Sequence, residues 1–404
     1  MTTTLVRDVR PWGGPTTDLL VVDGVIALGG DRDGGAAAAP DVVVEGAGRL
    51  ALPAFTDAHV HLDSTRVGLP FRPHSSQGRR LWDLIENDRR HWRQAETGVA
   101  ERATTTLGRA IAHGMTRARS YAQVDADCRL ERLDGVLAAR EHHHERAQVQ
   151  VVAFPQAGIL LEPGVPDLLD AALRAGADVI GGIDPCGLDR DPVRHLDVVF
   201  ELAERHDVPI DVHLHEPGEL GRFSLDLVLE RVEAHGLRSR VTVAHAFVLA
   251  DLAPEVTLAT AARLAEWDVA VTTVAPGGRG ALPLALLLEH GVRVGLGQDG
   301  QRDYWSPYGT TDMLDRAHQL AFTQDLRQDD LIERCVEVAS LGGAAVIDPA
   351  GPWRDTAGRG LGPGCAADIV LVPGETVTSA VMDRPQGRTV LRAGRVVAEA
   401  GALL

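Results

Sequence analysis

The sequence predicts an α/β protein, a (β/α)8 TIM-type barrel with a small β-sandwich domain built from both chain ends. Three observations predict it. Eight short apolar runs alternate with amphipathic stretches of helix length, the pattern of βα units around a parallel sheet. Several of those runs end in histidine or aspartate, and in such barrels the chemistry sits where strands end. Short segments that alternate apolar and polar residues between Gly-rich turns occur near both termini.

In chain order, TDLLVVDGVIAL (17–28) and DVVVEGAGRLALP (41–53) read as strands of the small domain, with GGDRDGGAAAAP (29–40) as a long turn between them. The barrel strands follow as FTDAHVHL (55–62), MTRARSYA (115–122), VQVVAFPQ (149–156), ADVIGGID (177–184), PIDVHLHE (209–216), RVTVAHAF (240–247), DVAVTTVAP (268–276) and VRVGLGQD (292–299). Helical periodicity separates them, as in 100–114, 193–206 and 254–267. The small-domain texture returns in AADIVLVPG (366–374) and RTVLRAGRVVAEAG (388–401). The expected division is a small domain from 1–52 and 358–404 around a barrel catalytic domain spanning 53–357.

A chain of 404 residues, 45% hydrophobic, has the surface economy for one large barrel and an appendage. Its formal charge of −17 repels phosphate backbones and anionic lipid, so neither nucleic acid nor a membrane surface is an expected partner. Cys128, Cys186, Cys335 and Cys365 lie far apart with no CxxC pair, against a disulfide framework, a zinc ribbon or a redox motif. The N-terminal stretch lacks a signal pattern, and no apolar run reaches the ~20 residues that span a bilayer, so a cytoplasmic protein is expected. All 40 basic residues are arginine. The absence of lysine rules out Schiff bases, P-loops and carbamylated-lysine bridges between two metals.

Strand one ends His59-Val60-His61, strand five His213-Leu214-His215-Glu216, strand six carries His245 and strand eight ends at Asp299. Two-residue spacing puts His59 and His61 on one face. A single strand-end histidine is commonly a satisfied structural group, but four strand ends meeting at one rim point to a metal site. Three imidazoles and one carboxylate suit one borderline divalent ion with room for a water, whose pKa then falls from about 15.7 to about 7. Glu216, three residues after His213, lies just past the strand and suits a proton carrier. His245 suits the stabilisation of a developing oxyanion or the steering of the water.

The run EHHHER (141–146) reads as a solvated helix face. Cys186 has no histidine pairing, and the PCxxC of base-editing zinc deaminases is absent. Trp82, Trp92 and Trp267 read as packing residues. Leu81 and Trp82 follow the long loop after strand one, in position to cover a pocket.

The motifs HVHLD (59–63), VVAFPQAGIL (151–160), ADVIGGI (177–183), DVHLHE (211–216), VTVAH (241–245) and GxD…W…PxG (297–309) run in order through the barrel. Together they resemble the amidohydrolase superfamily, in its cytosine deaminase branch. The resemblance implies metal ligation by His59, His61, His213 and Asp299, with one zinc or iron per chain. It gives Glu216 a proton-shuttle role, makes His245 and Asp299 orient hydroxide, and has Gln156 bond a ring carbonyl or N–H while Trp305 packs against the ring. It implies hydrolytic loss of ammonia or an amine from a small N-heterocycle, by a homo-oligomer. Amide or cyclic-amide hydrolysis on the same scaffold is the alternative, and a catalytically inactive binding barrel a remote one.

Three departures concern substrate. Cytosine deaminases resembling this chain carry a second Asp where Gly300 stands, read RTHVD where Arg119-Ser120-Tyr121-Ala122-Gln123 stands, and some carry Lys in place of Ser64. Glycine for a carboxylate widens a pocket and removes a charge, so the expected substrate is larger than cytosine or differently substituted. Gly300 is also expected to let the chain leave strand eight sharply.

Overall fold

A computed structural model describes residues 2–27, 39–74, 78, 80–278, 280–351 and 359–404. Most of the expected 29–40 turn and the expected 357/358 boundary lie outside the described residues. Eight barrel strands are present: β1 (Phe55–His61), β2 (Met115–Gln123), β3 (Gln148–Phe154), β4 (Val179–Ile183), β5 (Ile210–His213), β6 (Val241–Ala244), β7 (Ala270–Thr273) and β8 (Val294–Leu296). They pair in chain order, each parallel to the next. The two residues Asp299–Gly300, continuing from β8, pair with Val60 and His61 of β1 and close the ring.

Both faces of these strands are covered, which is why they read as continuous apolar runs: all seven residues of β1 are buried. The helices that cover them follow their local signals. Pro192–His206 starts with Asp191 accepting the Arg194 N–H, has proline in its first turn, and stops at Asp207 in the left-handed region. Val99–Ala112 has Glu101 in its first turn and Arg109 in its last, matching the helix dipole.

A second, mixed sheet comes from both chain ends. Its order is Ala402–Leu403, Arg395–Glu399, Thr389–Arg392, Ile369–Val372, Val42–Pro53, Thr3–Pro11, Thr17–Val22 and Val25–Ile26. It buries its own cluster, including Val6, Val21, Ile369 and Leu391. The segments 17–28 and 388–401 are hairpins rather than single strands, turned at Asp23-Gly24 and Ala393-Gly394 with positive φ at both positions. The Thr3–Pro11 strand was not legible in the sequence, because a register shift around Asp8 (φ 54°) breaks its alternation.

Except for β2, which runs one residue further, the barrel strands are shorter at their C-terminal ends than the apolar runs. His245 (φ 63°), Ala246 (φ 47°) and Asp299 (φ 64°) leave the extended region. His215, Glu216, His245 and Asp299 therefore stand beyond the ends of the strands that precede them. Two readings of the surface also change. His143 is buried, its Nε2 3.1 Å from the Thr104 carbonyl, while its neighbours in the EHHHER run remain largely outside. Trp82 is an exposed side chain, unlike Trp92, which is buried.

Candidate active site

Strand periodicity builds the site in layers. Residues two apart on a strand face the same way, so Asp57 and His59 on β1, Arg119 and Tyr121 on β2, and Asp211 and His213 on β5 point inward in successive tiers. In the lower tier Arg119 donates to Gln150 Oε1 (2.7 Å), Asp211 Oδ2 (2.8 Å), Thr242 Oγ1 (2.8 Å) and the Val346 carbonyl (3.2 Å).

The upper tier holds the histidines. The ring centroids of His59 and His213 are 4.6 Å apart, those of His59 and His61 5.5 Å, and those of His59 and His245 4.6 Å. Asp299 Oδ1 lies 3.4 Å from His61 Nε2 and 3.6 Å from His59 Nε2. Tyr121, at one of the departures from the deaminase pattern, packs its ring 4.4 Å from both His59 and His213. Burial lowers the His61 imidazole to about 4 and pushes those of His213 and His245 well below the usual range, with neighbouring histidines adding to the effect. Burial therefore favours the neutral ring, which keeps a lone pair for an electrophile. Burial alone would raise the Asp299 carboxyl, but His59, His245 and His61 outweigh it and hold it well below the carboxylate range.

This tier floors a cavity of about 710 Å³. Phe154, Ile183, Val274, Ala275 and Trp305 supply apolar wall, and Gln156, Gly300 and Asp303 also line it. Glu216 and Leu81 do not appear among the lining residues. The Glu216 carboxylate is buried, accepts the Gly187 N–H (2.5 Å) and the Ser224 hydroxyl, and is raised by burial. Leu81 opens the helix Leu81–His91 and packs beside Trp305 on a cluster around Ile85, Tyr121 and Phe154.

The structure overturns the reading of Gly300. Its φ lies outside the left-handed region, and the strained residue is Asp299. The space left by the missing side chain is filled, because a Cβ on Gly300 would collide with the Asp303 carboxylate. The glycine therefore neither makes the sharp exit nor widens the pocket locally.

Sequence reasoning missed three acidic residues. Asp184 (φ 35°) accepts from the His215 backbone at 2.7 Å and pairs with its Nδ1 at 2.8 Å. Asp189 accepts the Ile159 and Leu160 N–H groups and pairs with His195 Nδ1 at 2.6 Å, clamping the turn that carries Gln156. Asp303 is the third. The signal for Asp184 was its place at a strand end; the other two had none.

Residues 42–398 match the model of the amidohydrolase family. The chain belongs to that family. Over its full length it is similar to the crystal structure of N-isopropylammelide isopropylaminohydrolase from Burkholderia multivorans, with 40% identity, complete coverage of both chains and a TM-score of 0.91. It is 28% identical over 363 residues to N-isopropylammelide isopropyl amidohydrolase of Pseudomonas sp., covering 88% of this chain and 87% of that one. It is 33% identical over 276 residues to the uncharacterized Escherichia coli protein YahJ, covering 68% of this chain and spanning 60% of that relative's length. As an amidohydrolase, the protein is a hydrolase of carbon–nitrogen bonds other than peptide bonds.

Amidohydrolases of this type hold a metal, and the residues present fit one. His59 Nε2 and both ring nitrogens of His213 are buried without a hydrogen-bond partner. One ligand atom each from His59, His61 and His213 lies within 4.8 Å of the others, as does one each from His59, His245 and Asp299. Neutral nitrogen donors with one carboxylate suit a borderline divalent ion.

Proposed function

We propose that this amidohydrolase is a mononuclear aminohydrolase that releases ammonia or an amine from an amino-substituted N-heterocycle bulkier than cytosine. The observation that carries the reading is the set of buried imidazole nitrogens without hydrogen-bond partners, on His59, His213 and His245, beneath a cavity of about 710 Å³. In this reading His59, His61, His213 and Asp299 hold one zinc or iron ion. When bound, such an ion supplies a water activated at neutral pH.

The chain's own residues do the rest. His245, beside His59 and carrying a buried unpartnered Nδ1, orients the attacking water together with Asp299. Trp305 and Phe154 flank the ring, and Gln156 bonds its polar edge. Glu216 carries the proton to the ring nitrogen and the leaving amine. Burial raises its carboxyl, which favours the protonated form that a shuttle must pass through, and the role requires the side chain to turn from Ser224 and Gly187 towards the cavity. The apolar outer wall at Val274, Ala275 and Phe322 takes the extra bulk.

The test is a panel of amino- and alkylamino-pyrimidines and triazines with metal-reconstituted protein. Ammonia or amine release is expected, and ring opening without either would establish amide hydrolysis instead. Glu216→Gln should keep its metal while turnover falls by about 10²–10⁴-fold; undiminished turnover refutes the shuttle. The proposal extends to a cytoplasmic homo-oligomer. Four free cysteines suit a reducing compartment, and sedimentation of the purified protein tests the oligomer.

A further inference from the structure

We infer that Asp303 is a substrate-binding residue, a carboxylate that accepts an N–H from the edge of the heterocycle at the place where Gly300 offers no side chain. The inference rests on the reading of the cavity as a heterocycle site. Asp303 lines that cavity and is itself only 7% exposed. Its Oδ1 accepts the backbone N–H groups of Trp305 (2.8 Å) and Ser306 (2.9 Å), and its Oδ2 accepts the Ser64 hydroxyl (3.1 Å). Burial raises the Asp303 carboxyl to about 7, and in its ionised form each oxygen keeps further lone-pair capacity, since a carboxylate has about four acceptor positions.

The arrangement has a sequence logic visible only in three dimensions. Gly300 pairs with His61 on the closing edge of the barrel, so a side chain there would stand beside the metal tier. The Asp303 carboxylate occupies the volume such a side chain would take. Glycine at 300 is therefore what admits this carboxylate. Ser64, which directly follows the His59–Asp63 motif, holds one of its oxygens from the opposite side. The same acid orients Trp305 through the backbone, so one residue sets both the ring wall and the acceptor beside it.

Holding the turn and binding substrate separate in Asp303→Asn. The amide oxygen can keep the Trp305 and Ser306 N–H groups, while the amide nitrogen replaces the acceptor at Oδ2. Uracil and cyanuric acid, which carry ring N–H groups and no amine to lose, serve as probes by calorimetry, with dimethyluracil as the control lacking N–H. Native protein should bind at least one of the two probes and prefer it over the control. In Asp303→Asn the affinity should fall about 10- to 100-fold, with melting temperature and metal content unchanged. Gly300→Ala, which pushes the carboxylate aside without removing it, should lose the same preference.

No probe binding by native protein, or equal affinity in Asp303→Asn, overturns the inference. A lowered melting temperature with equal loss for probes and control also overturns it, because the residue then only holds the turn. Turnover is measured separately. Asp303-dependent probe binding in a protein that releases neither ammonia nor amine from any heterocycle would sink the aminohydrolase reading and leave this inference standing.

Discussion

Two neighbouring tiers of the barrel interior treat their buried nitrogens in opposite ways. In the lower tier every donor nitrogen of Arg119 has a partner, and Asp211 and Thr242 close the network from β5 and β6. In the tier above, His59 Nε2, both nitrogens of His213 and, just past the end of β6, His245 Nδ1 have none. Burial is nearly complete in both tiers. A buried polar atom without a partner costs about 1–3 kcal/mol, so the upper tier gives up stability that a bound ligand restores. Gathered imidazole nitrogens without partners at the strand ends mark the site, whereas the guanidinium one tier below is saturated.

The comparison breaks most visibly at the ligands. His61→Ala or Asp299→Ala should take metal content from one equivalent per chain towards none, with turnover falling to background, by elemental analysis and assay. Two equivalents in the active native protein would contradict a mononuclear site. The next effect belongs to the scaffold tier. Arg119→Ala leaves Asp211 buried without its cation and should cost about 3–5 kcal/mol in denaturant unfolding. His213→Ala measured without metal should cost far less. Equal losses would show that the two tiers do not differ as described.

The smallest effect sharpens the boundary between scaffold and site. Asp189→Asn weakens the clamp on the turn carrying Gln156 and should cost about 1–2 kcal/mol. It should also raise KM more than it lowers kcat, since it acts through a substrate contact. A change in kcat alone would place Asp189 nearer the chemistry.

The barrel was legible because each strand is a local object. All eight apolar runs contain a strand, and the helices tested against periodicity lie where it put them. Strand ends were overrun by up to three residues. Continuing apolar character does not report the left-handed backbone at His245, Ala246 and Asp299. The clustered histidines were legible because strand spacing and chain order bring strand ends to one rim. Asp189 and Asp303 were not, since an acid following a strand reads the same whether it meets solvent, a clamp or a cavity.

Gly300 marks the limit most clearly. As a sequence letter it signalled a missing carboxylate, a wider pocket and a turn. In the fold it is an extended neighbour of His61 whose empty volume is taken by Asp303. What the sequence determined by itself was the alternation of elements, the histidines and aspartate at the strand ends and the absence of lysine, because periodicity and residue chemistry are properties of the chain. Only the tertiary structure decided which carboxylate stands beside the metal tier, because that depends on side chains returning from different loops to the same few ångströms.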